Sequence, residues 1–163
     1  AHRTGPWLAC GAQDILRKAE ARKQLGLTRE RVALLISGRP EEEPIWRQQA
    51  TNLREAGIPL AVYAAADGRY PMMKYLRAFD LVVGAGGYHT VHECRAAGVA
   101  LKAVPMKRMY DRQAKRLRSE ETSSFTTLVD DVQAFLRTPR APQPAWEDGA
   151  VQGAAILRQA LRS

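Results

Sequence analysis

Apolar residues in this chain come in short runs separated by stretches with helical spacing. Arg31 to Ser37 reads RVALLIS, Leu60 to Ala65 reads LAVYAA, Leu81 to Gly84 reads LVVG, and Val99 to Val104 reads VALKAV before Pro105. Such runs, bounded by polar or turn-forming residues, predict strands, and the continuous run at Arg31 to Ser37 predicts one buried on both faces, as in the middle of a parallel sheet. Between them the period changes. Gln13 to Leu25 places Ile15, Leu16, Ala19 and Leu25 at helical spacing, with Gly26 where a C-terminal cap belongs. A second helix is predicted from Glu43 to Ala56, its start complemented by Glu41, Glu42 and Glu43 and its end marked by Gly57. Further helices are predicted over Tyr70 to Arg77, His89 to Ala97 with Gly98 as cap, Tyr110 to Ser119, Asp130 to Leu136, and Gly149 to Leu161. Phe125 to Leu128 reads as a short fifth strand.

Strands that alternate with helices predict an α/β fold: a Rossmann-like, three-layer domain with a parallel sheet and helices on both faces. Crossovers in such a sheet are right-handed, and ligands bind beyond the carboxyl ends of the strands. That topology gathers Ser37-Gly38-Arg39, Asp67 to Tyr70, Gly84 to Thr90 and Pro105 to Gln113 along one rim. A chain of 163 residues is the size of one domain. Residues 1–27 read as a linker and leading helix, with His2 to Trp7 broken by Gly5-Pro6, and residues 28–163 as the Rossmann-like domain.

Composition narrows the partners. With 25 Lys and Arg against 17 Asp and Glu the net charge is +8, which suits anionic ligands such as nucleotide phosphates, acidic lipid surfaces or nucleic acid. Lys and Arg are spread along the chain without the aromatic interleaving of a base-stacking surface, so nucleic acid is the weaker reading. No apolar run approaches the ~18 residues of a membrane span. Cys10 and Cys94, with His2, His89 and His92, have no metal-ligand spacing, and no metal site is expected. Two unpaired cysteines fit a reducing, cytoplasmic compartment.

The stretch with the most chemistry is Leu81-Val-Val-Gly-Ala-Gly-Gly-Tyr-His-Thr-Val-His-Glu93. An apolar run ends in glycines that open onto a helical segment, which predicts a strand, a tight turn and a helix N-terminus. Unpaired amides and the helix dipole make such a junction suited to phosphate, and glycines let a ligand approach the backbone.

Residues 80–113 carry a resemblance beyond that junction. Asp80 through Ala100, then Val104-Pro105, then Tyr110-Asp111-Arg112-Gln113, resembles the donor half of GT-B glycosyltransferases. The nearest likeness is the family of the bacterial UDP-N-acetylglucosamine transferase of peptidoglycan lipid synthesis. The resemblance spans nearly the whole chain, and Thr4-Gly5-Pro6 looks like the segment that leaves the family's N-terminal acceptor domain. It implies the C-terminal half of a GT-B fold, a UDP-sugar donor and metal-independent transfer. It further implies that an acceptor domain or separate partner chain supplies the acceptor site and the catalytic base. Alone, the chain is expected to bind donor without transferring sugar, in the cytoplasm or peripherally at the inner face of the membrane.

By this resemblance Gly86, Gly87, Tyr88, His89 and Thr90 meet the diphosphate through backbone amides and the Thr90 hydroxyl, with Gly38 and Arg39 contributing from the first strand's loop. Glu93 takes the ribose hydroxyls; a first-turn Glu that merely complements the helix dipole is the plainer reading. Gly68, Arg69 and Tyr70 stand where the family pairs uracil with backbone groups. Asp111 and Gln113 match its sugar-contacting pair, although Asp111 also suits a helix cap. Two alternatives stay open: a UDP-sugar epimerase half, and a non-catalytic anion- or nucleic-acid-binding module.

Overall fold

The computed structural model describes residues 4–37, 39–64 and 71–162. Its centre is a parallel sheet of four strands, β1 (Ala33–Ser37), β2 (Leu60–Ala64), β3 (Leu81–Ala85) and β4 (Ala100–Val104), in the order β2-β1-β3-β4. The helices are α1 (Lys18–Leu25), α2 (Glu43–Glu55), α3 (Tyr88–Ala97), α4 (Gln113–Arg116), α5 (Leu128–Arg137) and α6 (Gly149–Ala160).

The unbroken apolar strands are explained by two separate cores. Leu34, Val82, Leu101 and Ala103 face one side and pack with Met73, Leu76, Val91 and Cys94, covered by α1, α3 and the 3-10 turn Met72–Ala78. Ala33, Leu35, Leu81 and Val83 face the other side and pack with Trp46, Leu53, Leu128 and Val132 of α2 and α5. A strand whose neighbouring residues face opposite cores has no polar face to show. Trp46, 1% exposed, anchors α2 and meets the Phe125 ring edge-on at 5.6 Å between centroids.

The amino ends of the strands are tied by Asp80. Its carboxylate accepts from the Val32 amide at 2.9 Å and pairs with Lys18 at 2.6 Å, while its own amide donates to Val32 O at 3.0 Å. The leading helix α1 is thereby fastened to the sheet.

Four predicted elements change. The helix over Tyr70 to Arg77 is the 3-10 segment Met72–Ala78. The helix over Gln13 to Leu25 starts only at Lys18, after a 3-10 turn at Ala12–Asp14. Asp14 is drawn back to the Gly11 amide at 3.0 Å, and the Leu16 amide donates to Lys74 O at 3.0 Å, so tertiary bonding takes the backbone that a helix would need. The helix over Tyr110 to Ser119 shrinks to α4, because Gln113 is turned inward and Leu117 is already extended. The fifth strand over Phe125 to Leu128 is a turn leading into α5. Hydroxyls of Ser124 and Thr127 and the Asp131 carboxylate, which accepts from Ser123 at 2.6 Å, close that turn. A single bridge between Ala103 and Thr122 marks where a strand begins and stops.

Among the described residues, no helix is long and apolar enough to cross a membrane.

Candidate functional site

The sheet order fixes the position of the crevice. From β1 the chain passes to β2 on one side, and β3 returns on the other, so adjacent loops after β1 and β3 diverge. In open parallel sheets this switch point, beyond the carboxyl ends, is where ligands sit. Here it lies between the end of β1, with Ser37 and Arg39, and the Gly86-Gly87 junction after β3. The floor is tight: a Cβ on Gly84 would lie 2.9 Å from the Ile36 carbonyl oxygen.

The two junction glycines do different work. A Cβ on Gly86 would meet Leu117 Cδ1 at 2.9 Å and Gln113 Cβ at 3.3 Å, so Gly86 is required by packing beneath the loop. Gly87 is the N-cap of α3, and among the described residues a Cβ there would find nothing nearer than Thr90 Oγ1 at 4.0 Å. Among the described residues no side chain caps this helix, and its first helical bond runs from the Val91 amide to Gly87 O. The amides of Tyr88, His89 and Thr90 therefore have no carbonyl of their own helix to bond.

Glu93 stands one turn inside α3, three residues after Thr90. Its side chain is only 16% exposed and its paired group is the exposed His89, with Nδ1 at 3.8 Å. Burial pushes the Glu93 carboxyl up to about 7. Cys10, from the segment preceding α1, lies close enough that Glu93, after burial and Asp14, contributes to raising its thiol. A half-buried carboxylate with so little compensation is poised to accept hydrogen bonds from a ligand.

On the opposite flank of α3 the junction is locked by Arg116. Its guanidinium donates to Gly86 O at 2.8 Å and to Asp111 at 2.7 Å, and it lies 5.6 Å from the centre of the Tyr88 ring, which leans on His92 at 4.5 Å. Burial, followed by Arg95 and Arg116, lowers the His92 imidazole below its ordinary value. Burial alone would raise the Asp111 carboxyl, but bonds from Gln113 and Arg116 together hold it below. Gln113 is 1% exposed and spends both ends of its amide internally, accepting from the Met106 amide at 2.8 Å and donating to Asp111 at 2.9 Å. Asp111 and Gln113 thus act as a pair, with Asp111 nearer the surface and Gln113 holding it and the loop after β4.

Arg39 is exposed at the end of β1, ahead of the turn Pro40–Glu42. Gly38, Gly68, Arg69 and Tyr70, expected at the diphosphate and uracil, lie outside the described residues. Sequence reasoning passed over Arg116, and also the ion pair of Glu42 with Arg108 at 2.5 Å, which ties the loop after β1 to the loop after β4. Neither pair has a local spacing that could have announced it. Among the described residues, no group of three His, Cys, Asp or Glu could hold a metal ion.

No protein-family model and no curated protein matches this sequence. Among solved structures, the glycosyltransferase SsfS6 of Streptomyces sp. SF2575 is similar, with a TM-score of 0.51 at 18% identity over 66% of this chain. The match spans 32% of that glycosyltransferase's chain. The Rossmann-like α/β fold assembled above is thus one that this chain shares with part of a glycosyltransferase.

Proposed function

We propose that this chain is the donor-binding part of a UDP-sugar glycosyltransferase, of the kind that builds the lipid precursor of peptidoglycan. The observation that carries the reading is the uncapped α3 N-terminus, open above Gly87, with the buried Glu93 carboxylate one turn further in. A nucleoside diphosphate offers a matching pair of groups: a pyrophosphate for the amides and two ribose hydroxyls for the carboxylate.

In this reading Tyr88, His89 and Thr90 donate main-chain N–H groups to the diphosphate, helped by the Thr90 hydroxyl and by Arg39. As the glycosidic bond breaks, negative charge grows on the departing UDP, and preformed amides stabilise it without reorganising. Arg116 holds the Gly86 carbonyl turned away from the anion, which keeps the junction in its binding geometry. Asp111 contacts the sugar, and Gln113 holds Asp111 in place. The acceptor and the base that deprotonates it come from a second domain or chain.

Titration calorimetry with UDP tests this. The parent should bind, and Glu93→Ala should bind about 1–3 kcal/mol more weakly, roughly fivefold to 150-fold, for loss of charged hydrogen bonds to ribose. Equal affinities for the two proteins would remove Glu93 from the site, and no heat from either would remove the nucleotide.

A further inference from the structure

The sheet ends unfinished at β4. Among the described residues its outer edge is paired only at the carboxyl end, where the Ser123 amide donates to Ala103 O at 2.9 Å beside the single Thr122 bridge. Backbone groups of successive strand residues point to alternate sides. Since Ala103 faces outward, Leu101 does too, and its N–H and C=O have no partner among the described residues. The chain that should continue the ladder folds instead into the 3-10 turn Ser119–Glu121.

Leu101, itself only 5% exposed, lines a groove of about 460 Å³ bordered by Lys102, Arg118, Glu120, Phe135, Arg140 and Pro142. It straddles the sheet, with Phe135 of α5 on one face and the segment held by the Ala145 amide to Arg95 O at 2.9 Å on the other. Its charged lining sets Arg95, Lys102, Arg118 and Arg140 against Glu120 and Glu121, so cations outnumber carboxylates. Arg95 is satisfied by Glu121, at 2.9 and 2.6 Å, and Lys102 donates to Glu120 O at 2.8 Å. Arg118 and Arg140 are exposed and form no salt bridge among the described residues.

We propose that the β4 edge receives a short extended peptide segment with acidic side chains, which adds to the sheet by hydrogen-bonding to Leu101. Added strands take affinity from the main chain and selectivity from the groups around the edge. Those groups here favour carboxylates. They also disfavour a second copy of this chain: Lys102 is the middle residue of β4, so a centred antiparallel pairing of two such edges sets Lys102 against Lys102. This inference rests on the sheet edge alone and stands apart from the nucleotide crevice.

The probe is a fluorescein-labelled acidic hexapeptide of alternating Glu or Asp and Val, compared with its Lys-for-acid counterpart by fluorescence anisotropy. Hydrogen exchange at the Leu101 amide is read alongside. The acidic peptide should bind at least tenfold tighter than the basic one and slow Leu101 exchange about tenfold. N-methylation of alternate peptide amides should abolish both effects. The substitution Arg140→Glu, on an exposed position, should keep the thermal midpoint and cut binding about fivefold or more. Indifference to peptide charge, unchanged exchange at Leu101, protection of Leu101 by an oligonucleotide instead, or a concentration-dependent dimer that protects it would each overturn the proposal.

Discussion

Replacing Glu93 by Gln removes a charge while keeping shape, and its effect can be worked from the carboxyl's environment. Burial holds Glu93 at about 7 against an ordinary 4.5. The folded state therefore keeps the proton more tightly than the unfolded state, so stability falls as pH rises between those values and is flat above them. At 1.36 kcal/mol for each tenfold, the ionised carboxylate costs the free protein about 3 kcal/mol, with little screening because the side chain is 16% exposed. Glu93→Gln cannot ionise and escapes that cost. Urea unfolding should give the two proteins equal stability within about 0.5 kcal/mol at pH 4, and a variant more stable by about 3 kcal/mol at pH 8.5. His92 responds in the opposite sense, since its lowered imidazole makes the fold lose stability as pH falls below the ordinary 6.5. His92 is present in both proteins, so the difference between them isolates Glu93. Parallel stability curves across this range would refute the argument that Glu93 is held ionised at a cost. In the proposed function, a ligand that donates hydroxyls to this carboxylate recovers part of that cost.

The same titration should appear in binding. Affinity for a UDP-sugar, whose own phosphates do not titrate here, is expected to weaken by up to about tenfold per pH unit below about 7, by calorimetry, and Glu93→Gln should flatten that slope. The junction glycines should separate by readout. Gly86→Ala forces its Cβ into Leu117 and should cost about 1–3 kcal/mol in urea unfolding. Gly87→Ala should cost the fold under ~1 kcal/mol, yet weaken UDP binding. Arg95→Met strands the Glu121 carboxylate, which burial would raise but for its bonds from Arg95 and the Arg118 amide. A loss of about 2–4 kcal/mol at pH 7 is expected, shrinking as acid neutralises Glu121.

The central strands β1 and β3 were readable in sequence because burial on both faces leaves continuous apolar letters, whereas the edge strands β2 and β4 leave Val62 exposed and Lys102 half-buried. The phosphate-suited junction was readable for a related reason: its glycines, hydroxyl and carboxylate lie within one strand-turn-helix unit. What stayed hidden depended on distant partners. Arg116 reaches Gly86 across 30 positions and Arg108 reaches Glu42 across 66, and neither spacing has a local period. The helix expected from Gln13 failed because Leu16 bonds to Lys74, and the expected fifth strand failed because hydroxyls of Ser124 and Thr127 favour a turn. In each case a tertiary or side-chain bond outcompeted a local preference.

At the beginning of α6 the two ends of the fold are stitched together. The Gly149 amide donates to Pro6 O at 3.0 Å, the Gly5 amide to the Gln152 side chain at 2.7 Å, and a Cβ on Gly149 would collide with Gly5 O. α6 then runs about 18 Å beyond that seam, a span that roughly six extended residues could bridge. The sheet could therefore be re-threaded as a circular permutant, closed behind α6 and reopened in the exposed proline segment after α5, with the crevice left whole.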